Sequence, residues 1–224
     1  MAEILNGPSI SKHDKPEKLI FMLHGYGDNA ANFMHLANPI DLDEWKAQYV
    51  ALNAPRYITG NLMGYQWFDL YPNGIYISEA GPQEFDQIQN EINEAVIKIV
   101  NTMEKYCESI NLTLADCILM GFSQGGMMTF EVGNFLKKQL AGLIILSGRI
   151  IKNDIIKNKI LQQTPIFISH GEKDEVIPVK SFYDSKVYLS TNKCNFESHL
   201  LPLDGHNISP EAITLLQNFI KKIL

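Results

Sequence analysis

Long apolar runs are missing from this 224-residue chain. No stretch approaches the roughly 18 apolar residues of a membrane span, and Met1 to Lys18 has no apolar block of signal-peptide length. A cytoplasmic location without stable membrane insertion is therefore the default expectation. Cysteine is scarce: Cys107, Cys117 and Cys194 are an odd set of 3, and no two form a C-x-x-C pair with metal-ligand spacing. All three read as reduced structural thiols, and Cys117, within Asp116-Cys117-Ile118-Leu119-Met120, suits a small buried side chain. A basic surplus is also lacking. With 19 Lys and Arg against 25 Asp and Glu, the formal charge of −6 offers nucleic acid and anionic membranes no general attraction. Repeats, low-complexity tracts and dividing linkers are absent too, so residues 1–224 are expected to form one domain.

What is present is an ordinary globular balance, 46% hydrophobic and 20% charged, enough for a full core. Short apolar runs end in Gly, Asn-Ala-Pro or Ser-Gly: Leu19 to Leu23, Tyr49 to Leu52, Cys117 to Met120, Leu143 to Leu146, Pro165 to Ser169, and Phe196 to Leu201. Amphipathic stretches lie between them, the alternation of a mostly parallel sheet with crossover helices on both faces. Phe85, Ile88, Ile92, Ala95, Ile99, Met103 and Tyr106 fall at steps of three and four and place one apolar stripe on a long helix. Met127 to Leu136 and Glu211 to Leu224 read as two more helices, the second with Ser209 as N-cap and Pro210 at its first position. The Gly- and aromatic-rich stretch from Tyr57 to Pro82 shows the least regular pattern.

Gly121-Phe122-Ser123-Gln124-Gly125 matches G-x-S-x-G. The pattern alone arises by chance in roughly one chain in ten to fifteen of this length, so its setting decides. A strand precedes it and a helix follows, which puts Ser123 on a sharp strand-to-helix turn where glycine on both sides relieves crowding. A serine hydroxyl needs a base to take its proton. In a Ser, Asp, His chain order that base follows the last strand, and of the 6 histidines His206 occupies that place. His199 falls within the strand itself; His24 and His170, each before a glycine, read as loop braces, and His13 and His35 as solvated. The carboxylate that orients the histidine belongs after the preceding strand, where Asp174 stands with Glu172 and Glu175 as competitors. Asp204 is tied too closely to His206 by the backbone. The oxyanion of acyl transfer needs two amide donors. Gln124, opening the helix, supplies one, and Tyr26, in the loop His24-Gly25-Tyr26-Gly27-Asp28, supplies the other.

With those residues placed, the chain resembles the phospholipase/carboxylesterase family of α/β hydrolases, which includes acyl-protein thioesterases and small bacterial carboxylesterases. The resemblance rests on Leu23 to Asp28, Gln66-Trp67-Phe68-Asp69, Gly121 to Gly126, His170-Gly171 through Asp174 to Pro178, and Gly205-His206. It implies an α/β-hydrolase fold, no metal or organic cofactor, and hydrolysis of carboxylic esters or thioesters by the triad Ser123, Asp174 and His206. A weak homodimer is a further family expectation. Short to medium acyl esters, lysophospholipids and S-acylated proteins are the implied substrates. Leu62, Met63, Trp67 and Phe68 are apolar and aromatic, suited to line an acyl groove, with ordinary core as the competing assignment.

Two departures bear on substrate. Tyr26 stands where relatives often carry leucine, and Arg149-Ile150-Ile151-Lys152 where they often carry an aromatic followed by Leu-Pro. Two rival functions remain at this point: a catalytically silent binding protein on the same fold, and an amidase or peptidase using the same triad. Filled catalytic positions weigh against the first. The second lacks the substrate-clamping insertion that peptidases on this fold often carry.

Overall fold

The computed structural model describes residues 3–58, 60–77, 79–151, 156 and 158–224, with backbone alone at 61 and 62. Seven strands form the main sheet: β1 (Ser9–Ser11), β2 (Lys18–Leu23), β3 (Ala47–Leu52), β6 (Cys117–Phe122), β7 (Gly142–Leu146), β8 (Ile166–Gly171) and β9 (Phe196–Leu201). They run in the order β1-β3-β2-β6-β7-β8-β9. Within this sheet the β1–β3 pairing is antiparallel and the other described pairings are parallel. Every strand read from an apolar run is present, and the sheet is mostly parallel as expected.

Why the runs are continuous rather than alternating is visible in β2. Leu19, Phe21 and Leu23 enter one core, Ile20 and Met22 the other, and all five are fully buried. A strand covered on both faces has no solvent side to mark with polar residues. One face is covered by α3 (Pro82–Ser109) and α4 (Gln124–Phe135). The short helices α1 (Ala30–Phe33) and α2 (Ala37–Ile40) cover the other, together with α7 (Pro210–Ile223). Ser209 caps α7 by accepting the Ala212 amide, with Pro210 in the first turn. The α3 stripe is buried at Ile88, Ile92, Ala95, Ile99 and Met103, while Phe85 is exposed at its start.

Three features were not legible in the sequence. β1 is exposed along its three residues and has no apolar pattern to announce it. The irregular segment holds a hairpin, β4 (Arg56–Ile58) and β5 (Asn61–Gln66), with Tyr57 opposite Tyr65 and their rings 4.6 Å apart. Besides α5 (Lys159–Gln163), the helix α6 (Lys180–Thr191) buries only Phe182, Ser185 and Leu189, a stripe too thin and too polar to stand out.

Candidate active site

Ser123 sits between the end of β6 and the first turn of α4, with φ 55° and ψ −118°. That left-handed conformation is costly for a residue with a Cβ and persists only where the surroundings over-determine it. Here they do. The Ser123 amide donates to Leu146 O of β7 at 2.8 Å. A Cβ on Gly121 would enter the Gly125 carbonyl, and a Cβ on Gly125 would enter the Leu23 carbonyl at the end of β2. The two glycines thus act differently: Gly121 lets the elbow fold on itself, and Gly125 lets α4 press against the neighbouring strand.

His206 lies in the turn after β9 and Asp174 in the loop after β8, both at the carboxyl end of the sheet. His206 Nε2 is 2.9 Å from Ser123 Oγ, and His206 Nδ1 is 2.7 Å from Asp174 Oδ2. The other carboxylate oxygen, Oδ1, accepts the amides of Val176 and Ile177, each at 2.8 Å. The imidazole also packs against the Phe122 ring, centroids 4.8 Å apart. The acid loop is held to the histidine loop by Glu172 N to Leu201 O and Lys173 N to Asp204 O, both 2.9 Å. Hydroxyl, imidazole and carboxylate therefore form one hydrogen-bonded row with its orientation set by backbone. Glu172 and Glu175 point to solvent. His199 stacks on Phe167 and bonds Glu197 instead.

His24 and His170 brace the surrounding loops. His24 is fully buried, donating from Nδ1 to Gly25 O at 2.7 Å and accepting the Ala54 amide on Nε2 at 3.1 Å. His170 donates from Nε2 to Ile177 O at 2.8 Å. Burial pushes the pKa of both imidazoles down, which keeps them neutral in these roles.

The loop carrying Tyr26 is fastened on three sides. Gly27 N donates to Tyr65 O and Tyr65 N to Asp28 O, both at 2.9 Å, and Trp67 Nε1 donates to His24 O at 2.9 Å. None of these bonds uses the Tyr26 amide. Gly25 lies against Ser123, an added Cβ there being 3.4 Å from the Ser123 Cβ. Gln124 opens α4, whose positive dipole end faces the nucleophile.

The Gln124 side chain has a part that the sequence did not reveal. Fully buried, it accepts the Trp67 amide on Oε1 at 3.0 Å and donates from Nε2 to Phe68 O at 2.7 Å. Gln66-Trp67-Phe68 and Gln124 are both visible as motifs, but a contact across 57 residues leaves no local signal.

The groove residues divide. Met63 is 77% exposed near the hairpin tip, whereas Trp67 and Phe68 are fully buried in the main core. Neither ring presents surface to a ligand here: Trp67 Nε1 anchors the Tyr26 loop, and the backbone of Trp67 and Phe68 holds the Gln124 side chain. The side chain of Leu62 lies outside the described residues.

Comparisons with known proteins bear on the family and the fold. The sequence profile of the phospholipase/carboxylesterase family matches residues 7–224. Acyl-protein thioesterase 1 of Saccharomyces cerevisiae is 27% identical, the match covering 98% of this chain and 99% of the yeast protein. A probable carboxylesterase of Oryza sativa subsp. japonica is 25% identical over 100% of this chain and 84% of its own. Among solved structures, the esterase PE8 superposes with a TM-score of 0.85 at 26% identity, covering 99% of this chain and 100% of that one.

Proposed function

The chain belongs to the phospholipase/carboxylesterase family of α/β hydrolases, and from that premise we propose that Ser123, His206 and Asp174 are the triad with which it hydrolyses carboxylic esters or thioesters. The observation that carries this reading is the row from Ser123 Oγ to His206 Nε2 at 2.9 Å and from His206 Nδ1 to Asp174 Oδ2 at 2.7 Å.

In the first half-reaction His206 Nε2 takes the hydroxyl proton as Ser123 Oγ attacks the carbonyl carbon. The negative charge that develops on the carbonyl oxygen is met by the amides of Tyr26 and Gln124, aided by the α4 dipole. Asp174 holds the imidazole in the tautomer with Nε2 free and stabilises the imidazolium. Collapse of the tetrahedral intermediate breaks the bond to the leaving oxygen or sulfur, which receives the proton from His206, and leaves the acyl group on Ser123. Water then attacks the acyl-enzyme, giving its proton to His206, and Ser123 departs reprotonated. Each step uses groups of this chain, and no cofactor enters.

The substrates assigned are short to medium acyl esters, with lysophospholipids and S-acylated proteins within the same chemistry, and the cytoplasm is the proposed compartment. No helix among the described residues is long and apolar enough to cross a membrane. A chain-length series of p-nitrophenyl esters and matched thioesters, assayed with wild type and Ser123→Ala, tests the reading. Turnover that survives in Ser123→Ala, or faster cleavage of the matching anilides, removes it.

A further inference from the structure

Beyond the triad, the segment after β7 carries a charge that the hydrolytic chemistry leaves unused. Leu146 O accepts the Ser123 amide, and Ser147 N donates to Ser169 O at 2.8 Å, so the chain leaves β7 directly behind the nucleophile. An added Cβ on Gly148 would lie 3.1 Å from the Gly126 carbonyl carbon, inside the first turn of α4. Arg149 follows. Three residues of chain span at most about 11 Å, which keeps its backbone within that distance of Leu146, the residue that holds the Ser123 amide.

The Arg149 side chain lines a groove of about 880 Å³ between the start of α3 and α6. Phe85, Ile151 and Val187 give this groove an apolar wall, and Phe85 and Val187 are exposed. Arg149 also borders a small internal space with Ile145, Ile168 and Phe182, so it stands where the groove meets the interior. Its Nε is buried and has no hydrogen-bond partner among the described residues. The acid that shares the groove, Asp184, is held by Lys180 at 2.6 Å. A desolvated guanidinium nitrogen without an acceptor is costly, and the planar fork of Arg matches carboxylate or phosphate oxygens.

We propose that Arg149 is a specificity-determining residue that receives an anionic group, carboxylate or phosphate, carried a few bonds from the scissile carbonyl, while the apolar wall takes the hydrocarbon part of the substrate. This deepens the esterase reading and rests on it. The anion can be borne by the acyl chain or by the alcohol, and Arg149 supplies the same recognition to both.

Two substrate pairs separate the sources. Mono-p-nitrophenyl glutarate against p-nitrophenyl butyrate places the anion on the acyl side; 1-butyrylglycerol 3-phosphate against 1-butyrylglycerol places it on the alcohol side. For wild type, Arg149→Gln and Arg149→Lys, the quantity read is the ratio of kcat/KM for the anionic and neutral members. Arg149→Gln should lower that ratio at least tenfold in one arm, chiefly through KM, with Arg149→Lys recovering part of it. An unchanged ratio in both arms overturns the proposal. Calorimetric titration of glutarate and of inorganic phosphate keeps the two readings apart. If wild type hydrolyses neither neutral ester, the esterase reading fails, and the anion site is then decided by whether Arg149→Gln weakens that binding at least tenfold. Equal binding, or none to wild type, rejects it.

Discussion

Asp174 divides its two carboxylate oxygens between backbone and histidine: Oδ1 takes the amides of Val176 and Ile177, and Oδ2 meets His206 Nδ1 at 2.7 Å, with His170 Nε2 at 3.4 Å. With its side chain fully buried, the carboxylate can turn neither away from the histidine nor into water. The consequence is a fixed tautomer for an imidazole whose own side chain is 17% exposed.

Asp174→Asn keeps the shape of that acceptor but allows an amide nitrogen to face Nδ1, which favours the wrong tautomer. By analogy with other triads, kcat should fall about a thousandfold to ten-thousandfold. Steady-state assay with p-nitrophenyl butyrate reads this, with circular dichroism to confirm folding. A loss under tenfold would remove Asp174 from the triad.

Gly125→Ala would drive a methyl group into the Leu23 carbonyl, which belongs to the adjacent strand and cannot rotate aside. The helix must move off the sheet, and overpacking of this kind costs about 1–3 kcal/mol or more. Urea denaturation should show the loss of stability, accompanied by a large drop in activity because the Gln124 amide moves with the helix. A variant as stable and as active as wild type would show that α4 does not need this close approach.

Gln124→Ala leaves the Trp67 amide and the Phe68 carbonyl without their partner. Each unsatisfied buried polar group costs about 1–3 kcal/mol, so with two of them unfolding free energy should fall by about 2–6 kcal/mol. Activity should fall as well, since the same side chain ties the elbow to the residues that fasten the Tyr26 loop. Loss of activity at unchanged stability would mean that the side chain acts only at the reacting atoms.

His24 predicts an acid-sensitive fold. Burial depresses its pKa, and a second proton on Nε2 would confront the Ala54 amide, itself a donor. The unfolded chain binds that proton near pH 6.5 while the folded chain resists it, and stability rises with pH wherever the unfolded state binds more protons. The contribution is intact above about pH 6.5 and is lost as pH falls from there toward the depressed value. His170, depressed by burial in the same direction, adds to it. Thermal unfolding at pH 7.5 and 5.5 should show Tm falling with acid in wild type and falling less in His24→Asn. Equal slopes would assign the acid sensitivity to other groups.

These consequences were unequally visible in the sequence. β2, β6, β7 and β8 announced themselves because strands buried on both faces must be apolar throughout. Ser123, Asp174 and His206, the proposed triad, were chosen from the order of strand ends, and they lie one, three and five residues beyond β6, β8 and β9. Phe85 matched the helical period of α3 but is 38% exposed, so periodicity overextended the buried stripe. Trp67 and Phe68 were read as groove lining or core from chemistry alone; only the fold shows both rings fully buried. Gln124 stands in the sequence as a proposed amide donor but not as a brace, because its side-chain partners, Trp67 and Phe68, lie 57 and 56 residues away, just past β5. The Arg149 departure could be seen as a change of residue type, while its buried, unpartnered Nε needed coordinates.

Covalent capture of one hydroxyl identifies the nucleophile. Wild type treated with a fluorophosphonate and digested should yield a single phosphonylated peptide with the modification on Ser123, and activity should vanish in proportion to labelling. His206→Ala should react far more slowly, because no base remains to take the proton. Modification on another residue, or full labelling of Ser123→Ala, would contradict the account.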